Sequence, residues 1–190
     1  AYPLRGWGYE EVGRIVELGD AVPRRDDALR PGALVHGTWG HRSHHVASAE
    51  EAAAKLLPPG LPAVAGILSH VGPIALNGVL DASPRLGETV AVFGLGVVGQ
   101  LVARLAAAAG ARVIGVDRSP FRLEAAGAAG ALAHAVDARE HAAGEAIKDL
   151  TDGRGADVAI EAAGVAAALH EAVRSVAYGA RVVVLGFVQG

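Results

Sequence analysis

Three glycines near the middle of the chain have a spacing that can bring a diphosphate against the backbone. Gly94, Gly96 and Gly99 form the pattern G-x-G-x-x-G, directly after the apolar run TVAVF. In such a turn the first glycine permits a sharp exit from a strand, the second lets a pyrophosphate approach, and the third lets the following helix pack closely. A helix that begins near Val97 would also direct unpaired N–H groups at the phosphates. The pattern predicts a dinucleotide site, with a purely structural turn as the alternative.

The acidic residue that such a site needs is also present. A second β-branched run, ARVIGVD, ends at Asp117, about 20 residues beyond the glycines, where a carboxylate accepts hydrogen bonds from the adenosine ribose. A carboxylate at this place repels a 2′-phosphate, so NAD is favoured over NADP. Arg118 and Arg122 keep NADP open, because an arginine beside the ribose can pair with that phosphate. The alternative is that both arginines are solvated charges at a helix start.

The segments around this turn alternate between strands and helices. Five runs have β-like patterns: TVAVFG, ARVIGVD, LAHAV, DVAIEAAG and ARVVVLGF. Helical runs follow the first four, over residues 97–109, 120–127, 140–150 and 165–176. Continuous β-branched strands are typical of parallel sheets that are covered on both faces. The sequence therefore predicts an α/β fold over residues 60–190, a Rossmann-type doubly wound parallel sheet.

Residues 1–59 have a different, β-rich pattern. VGRIVELG alternates as a half-buried strand does, and PGALVHGTWGHRSHHVAS is typical of two short strands about a turn. Ser48 is predicted to be the N-cap of a short helix that ends before two prolines. The apolar stretch LPAVAGILSHVGPIALNGVLDA follows with a helical period.

Composition and charge narrow the classes of partner. A net charge of -3 gives no electrostatic reason to expect nucleic acid. The absence of cysteine excludes disulfides and thiolate metal sites. We find no apolar run long enough to span a bilayer and no signal-peptide pattern, so we expect a soluble, cytoplasmic protein with no membrane partner.

Over almost the whole chain, the order and spacing of several segments resemble the medium-chain dehydrogenase/reductase superfamily, the zinc-type alcohol dehydrogenases. The segments are GYEEVGRIVELG, PGALVHG, GETVAVFGLGVVG, VIGVDRSPFRLEAA, GADVAIEAAG and GARVVVLGF. The resemblance implies a partial GroES-like segment over residues 1–59 and a Rossmann domain over 60–190 that lacks its final strand. It also implies that Gly96, Val97 and Val98 lie along the pyrophosphate. Backbone groups would line the adenosine and nicotinamide ends at Ala163, Gly164, Leu185, Gly186 and Phe187.

The chain departs from the family at its catalytic zinc. The family takes zinc ligands from two cysteines and from the histidine of G-H-E, whereas this chain has no cysteine and has Tyr9 at the histidine position. The last ligand position falls at His70, or at Ser69 if the register shifts. Because neutral tyrosine is a poor zinc ligand, we predict no metal site and no catalytic zinc. For the nearby histidines we expect surface or hydrogen-bonding roles: His36, His41, His44 and His45.

Without zinc, a side chain must exchange the proton that accompanies hydride transfer. Tyr9 and His70 are the candidates for catalysis, because the matched positions surround the nicotinamide in relatives. The alternative is that Tyr9 fills the vacated metal pocket and His70 caps a helix.

Three functions remain open from the sequence. The first is an NAD(P)-dependent oxidoreductase of the medium-chain type, acting on an alcohol, carbonyl or enone. The second is a shortened relative with non-redox biosynthetic chemistry, and the third is a non-catalytic dinucleotide-binding or partner-completing module. We expect a small-molecule substrate. We also expect a homo-oligomer or a complementing polypeptide, because the last predicted strand leaves an apolar edge.

Overall fold

The structure is a computed structural model that describes residues 7–22 and 28–187. The chain divides into two compact units, unit 1 over Ala1–Val71 and unit 2 over Gly72–Gly190. The two domains inferred from the sequence, 1–59 and 60–190, stay a prediction, because compactness within one chain does not establish where an independently folding domain begins.

Unit 1 contains a small antiparallel sheet and two short helices. Strands β1 (Glu11–Arg14) and β2 (Leu34–Gly37) pair with each other, followed by helices α1 (Ala49–Ala54) and α2 (Ala63–Gly66). The predicted N-cap is confirmed, since Ser48 Oγ accepts a hydrogen bond from Glu51 N at 3.1 Å.

Two expectations for the first half of the chain are wrong in detail. The first predicted strand ends at Arg14, and no strand forms over residues 41–48, although these residues belong to the described part of the chain. The apolar stretch that follows has the predicted helical character and forms two helices, α2 and α3 (Val71–Ala82). Pro73 explains the break, because a proline fits the first turn of a helix but would clash with a preceding helical carbonyl.

Unit 2 contains a five-stranded parallel sheet in the order β5-β4-β3-β6-β7. Its strands are β3 (Thr89–Phe93), β4 (Arg112–Asp117), β5 (His134–Asp137), β6 (Ala156–Glu161) and β7 (Val176–Val184). Its remaining helices are α4 (Val97–Ala108), α5 (Pro120–Ala128), α6 (Ala143–Asp149) and α7 (Ala166–Ser175). The predicted doubly wound fold is confirmed. The last strand begins directly after α7, earlier than the sequence predicts.

Alternate residues of the central strand bury into opposite layers. Val90 and Val92 pack in the core layer that contains Val102 of α4, whereas Ala91 and Phe93 pack in the layer that contains Ile147 of α6. Because both faces are covered, β3 is buried along its whole length. The carboxyl end of β3, where the glycine turn begins, is therefore held rigidly. Within the described residues, no helix has the length and apolar character that crossing a bilayer requires.

Candidate functional site

Two glycines of the turn are required by the fold itself. Gly94 has a φ of +88°, and a Cβ there would lie 2.7 Å from Ala163 N. A Cβ on Gly99 would lie 1.8 Å from the carbonyl oxygen of Gly94, far inside van der Waals contact. Both positions therefore exclude any side chain, because backbone atoms occupy the space.

Gly96 differs, because a Cβ there would meet no atom within 4 Å. It is the N-cap of α4, with an extended backbone conformation (φ −66°, ψ −170°) and no side-chain capping bond. The first N–H groups of a helix have no intrahelical acceptor, and here they belong to the turn that contains Val97 and Val98. Val97 is exposed. The open space above Gly96 thus adjoins unpaired donors and the positive end of a helix dipole, which is an anion-binding geometry.

Asp117 ends β4 beside this turn, as predicted, but it has a role that the sequence did not reveal. Its carboxylate is buried; Oδ2 accepts from Leu95 N at 2.6 Å, and Oδ1 accepts from Ser119 N at 2.8 Å. Leu95 lies between the first two glycines, so Asp117 fixes the turn directly. Each carboxylate oxygen keeps a second lone pair. The predicted contact with the ribose stays a prediction.

The two arginines near Asp117 differ in placement. Arg122 lies in the first turn of α5, with its guanidinium 3.7 Å from Asp117 Oδ2, and its backbone oxygen accepts from Gln100 Nε2 at 2.8 Å. Arg118 follows Asp117 directly and is exposed. The structure therefore brings Arg122, and not Arg118, into an ion pair with the acidic residue.

The loops that follow β6 and β7 meet at the same edge of the sheet. The Cβ position of Gly94 falls on Ala163, and the Cβ position of Gly164 lies 3.2 Å from Phe187 N. Leu185 is half-buried and packs its side chain against the core. The structure thus brings together the residues that the sequence predicted for cofactor binding on this side: Ala163, Gly164, Leu185, Gly186 and Phe187.

Glu161, the last residue of β6, holds these loops and was missed from the sequence. It is fully buried, and Oε1 accepts from Ala163 N and Gly164 N, each at 2.8 Å. Its backbone oxygen accepts from Leu185 N at 2.8 Å and from Gly186 N at 3.0 Å. An acidic residue at the end of an otherwise apolar run was the signal that could have identified it.

Unit 1 contains the two predicted catalytic residues, and they are neighbours. The rings of Tyr9 and His70 meet edge to face, with centroids 5.4 Å apart. Glu10 Oε1 accepts from Val71 N at 2.9 Å, which ties the residue after Tyr9 to the residue after His70. Both rings are exposed. Their proximity was not derivable from the sequence, and their catalytic role stays a prediction.

Two of the other histidines of unit 1 have side-chain partners. His45 stacks on Trp39 at a centroid distance of 5.1 Å, and His41 Nε2 lies 3.7 Å from Glu11 Oε1. Among the described residues, no three His, Asp or Glu side chains form a group that could hold a metal ion.

The architecture defines a class of protein. A parallel sheet with helices on both faces carries a glycine turn at a helix start, and an acidic residue ends the neighbouring strand. This is the arrangement of Rossmann-type dinucleotide-binding folds.

Comparison with known proteins narrows the class. Residues 97–190 match the family model described as zinc-binding dehydrogenase. The chain is 38% identical over 189 residues to D-guloside 3-dehydrogenase of Shigella flexneri. The aligned region covers 93% of this chain and 49% of that protein. The alcohol dehydrogenase TADH from Thermus sp. ATN1 superposes with a TM-score of 0.73 at 26% identity, over 95% of this chain and 62% of that one.

A zinc-binding dehydrogenase from Sinorhizobium meliloti 1021, described as putative and solved with bound NADP, gives a TM-score of 0.75 at 26% identity, over 97% of this chain and 61% of that one. The chain belongs to the medium-chain dehydrogenase/reductase superfamily, as a relative of the zinc-type alcohol dehydrogenases. It spans about half the length of the curated relatives it matches.

Proposed function

We propose that the chain is an NAD(P)-dependent oxidoreductase of the medium-chain type, which transfers hydride between a nicotinamide cofactor and an alcohol, carbonyl or enone. The observation that carries this proposal is the open approach at Gly96, where the backbone leaves room beside the first N–H groups of α4. Two glycines of the motif are explained by packing alone, but this one is not. A dinucleotide diphosphate explains it.

NAD is the favoured cofactor because Asp117 is a buried carboxylate at the end of β4. A 2′-phosphate placed beside it would meet a like negative charge. Arg122 offsets that charge in part, at 3.7 Å from the carboxylate, and is itself exposed enough to turn toward a phosphate. NADP is therefore the alternative, and the Sinorhizobium meliloti relative was solved with NADP.

Each part of the chain has a distinct role in the proposal. The start of α4 holds the diphosphate, Asp117 accepts from the ribose, and the loops after β6 and β7 border the nicotinamide half. The bound cofactor supplies or accepts the hydride. Tyr9 or His70 exchanges the accompanying proton with the substrate oxygen, as a general acid or base. The mechanism needs no zinc, because tyrosine replaces a histidine ligand and no cysteine is present.

Fluorescence titration with NADH and NADPH tests the cofactor half of the proposal. We expect saturable binding of both, with NADH bound at least tenfold more tightly because of the Asp117 carboxylate. Failure of both to bind would remove the redox assignment and favour a relative with other chemistry.

Turnover on a panel of ketones, enones and alcohols then tests catalysis, with and without a metal chelator. We expect turnover that the chelator leaves unchanged. Cofactor binding without turnover on any substrate would favour a non-catalytic dinucleotide-binding module.

Sedimentation of the same sample tests the proposed homo-oligomer, and cell fractionation tests the proposed cytoplasmic location.

A further inference from the structure

Glu161 combines complete burial with an incomplete set of hydrogen bonds. Its side chain has no solvent exposure, although it lies at the end of a strand. Oε1 accepts two backbone N–H groups, whereas Oε2 has no hydrogen-bond partner among the described residues. A buried carboxylate oxygen without a donor lowers the stability of the fold. Glutamate is therefore a costly residue for this position if only the stability of the core matters.

The contacts of Glu161 explain what is gained for that cost. Oε1 fixes the backbone of Ala163 and Gly164, and Oε2 lies against Gly186, where a Cβ would approach it to 2.3 Å. The same Cβ would lie 2.3 Å from Gly164 N. One carboxylate thus lies between two loops and fixes the distance between them. A smaller or displaced side chain would let them move together or apart.

The sheet order indicates which part of a dinucleotide these loops serve. Strand β4, which ends in Asp117, lies on one side of β3, whereas β6 and β7 lie on the other. In folds of this type the ligand lies across the carboxyl ends of the strands at the point where the strand order reverses. With the adenosine ribose at Asp117 and the diphosphate at Gly96, the nicotinamide half extends over the ends of β6 and β7.

We propose that Glu161 is a positioning residue for the nicotinamide half of the cofactor. This inference rests on the proposed function above. The carboxylate does not touch the ligand, since it is buried behind the loops that it holds. It acts by setting the separation of the Ala163–Gly164 and Gly186–Phe187 backbones, which border the nicotinamide and its ribose.

The test compares a whole dinucleotide with its adenosine half. Glu161→Gln and Glu161→Ala are titrated with NADH and with ADP, which lacks the nicotinamide half. We expect Glu161→Ala to weaken NADH binding about tenfold and Glu161→Gln to weaken it several-fold, as for a lost charge-assisted hydrogen bond. The affinity for ADP should stay within about twofold of that of the wild-type chain. A general loss of stability would weaken the binding of both ligands together.

Asp157→Asn is the matched control, because Asp157 lies on the same strand, β6, near its amino-terminal end. Its Oδ2 also accepts a backbone N–H, from Thr89 N at 2.8 Å. This variant should lower the melting temperature as Glu161→Gln does, yet leave the affinities for NADH and ADP unchanged. An equal loss of NADH affinity in the control would overturn the proposal.

Gly186→Ala tests the same loop separation without a change at Glu161, since the new methyl group would press on Oε2 and on Gly164. This variant should weaken the binding of NADH and leave the binding of ADP unchanged. Unfolding of this variant and of both Glu161 variants would assign Glu161 to the core alone and overturn the inference. If wild-type protein binds neither ligand, the proposed function fails. If it binds both and the folded Glu161 variants bind NADH normally, only this inference fails.

Discussion

The carboxyl edge of the five-stranded sheet and the Tyr9–His70 pair hold their polar groups in opposite ways. At the sheet edge, Asp117 and Glu161 are buried, and each binds two backbone N–H groups of the turns beside it. In unit 1, Tyr9 and His70 are exposed and meet only through their rings. In the first region the backbone is already fixed, as the proposed cofactor site requires. In the second, the side chains are exposed, as the proposed proton transfer requires.

This difference predicts two kinds of mutational behaviour. Changes at the sheet edge act through the backbone, so they should alter cofactor affinity, stability or both. Changes at the Tyr9–His70 pair should alter turnover and leave cofactor affinity unchanged.

The largest effect is expected from Gly99→Ala, compared with Gly96→Ala. The first places a methyl group 1.8 Å from a backbone oxygen, so we expect a loss of about 3 kcal/mol in the free energy of unfolding, together with loss of NADH binding. The second adds a methyl group to open space and should change stability by less than about 1 kcal/mol. It should still weaken NADH binding at least tenfold, because the methyl group blocks the diphosphate.

Denaturant unfolding and NADH titration of both variants measure these effects. Normal NADH affinity in folded Gly96→Ala would show that the open space at the start of α4 is not where the diphosphate binds. The separation between affinity and stability at neighbouring glycines is the sharpest test of the proposed cofactor site.

The next effect concerns unit 1. His70→Ala should lower turnover well over tenfold while NADH affinity stays unchanged, because the imidazole would exchange a proton with the substrate and would not hold the cofactor. His44→Ala, at an exposed histidine in the same unit, is the control and should leave turnover unchanged. Steady-state kinetics and NADH titration of both variants provide the measurement. Full activity in His70→Ala would remove this residue from the mechanism.

The same contrast explains how much the sequence could predict. The glycine turn, its helix and Asp117 form one local pattern, so their spacing was sufficient to predict them. Glu161 was missed because its role depends on Gly186, which is brought near only when β7 pairs with β6. The strand expected over residues 41–48 did not form, because Val46 is the one β-branched residue in this segment and a strand also needs a pairing partner.

The approach of Tyr9 to His70 was beyond prediction for a similar reason. The two residues are far apart in sequence, and the bond from Val71 N to Glu10 is a tertiary contact with no local signal. The family resemblance indicated both residues as candidates but could not show that they are neighbours. Local motifs therefore predicted the glycine turn and Asp117 beside it, whereas the proximity of Tyr9 and His70 became visible only in the structure.

The smallest effect is expected at a third strand-end carboxylate, which is neither deeply buried nor part of the glycine turn. Asp137 ends β5 next to Asp117, and Arg139 holds it through a side-chain ion pair at 2.6 Å and a backbone bond at 2.9 Å. These bonds lower the pKa of Asp137 from 3.8 to about 2, the side-chain bond to Arg139 being the largest cause.

Because this pKa is lower in the folded chain, the stabilising contribution of Asp137 is complete above pH 3.8 and is lost as the pH falls toward 2. Asp137→Asn should therefore melt slightly below the wild-type chain at pH 7, and the gap should close at acid pH. Arg139→Ala should behave alike, and the double variant should be no less stable than either single variant. A gap that does not change with pH would show that the loop after β5 is held by packing. Asp137 would then differ from Asp117 and Glu161 in its effect on the backbone as well as in its burial.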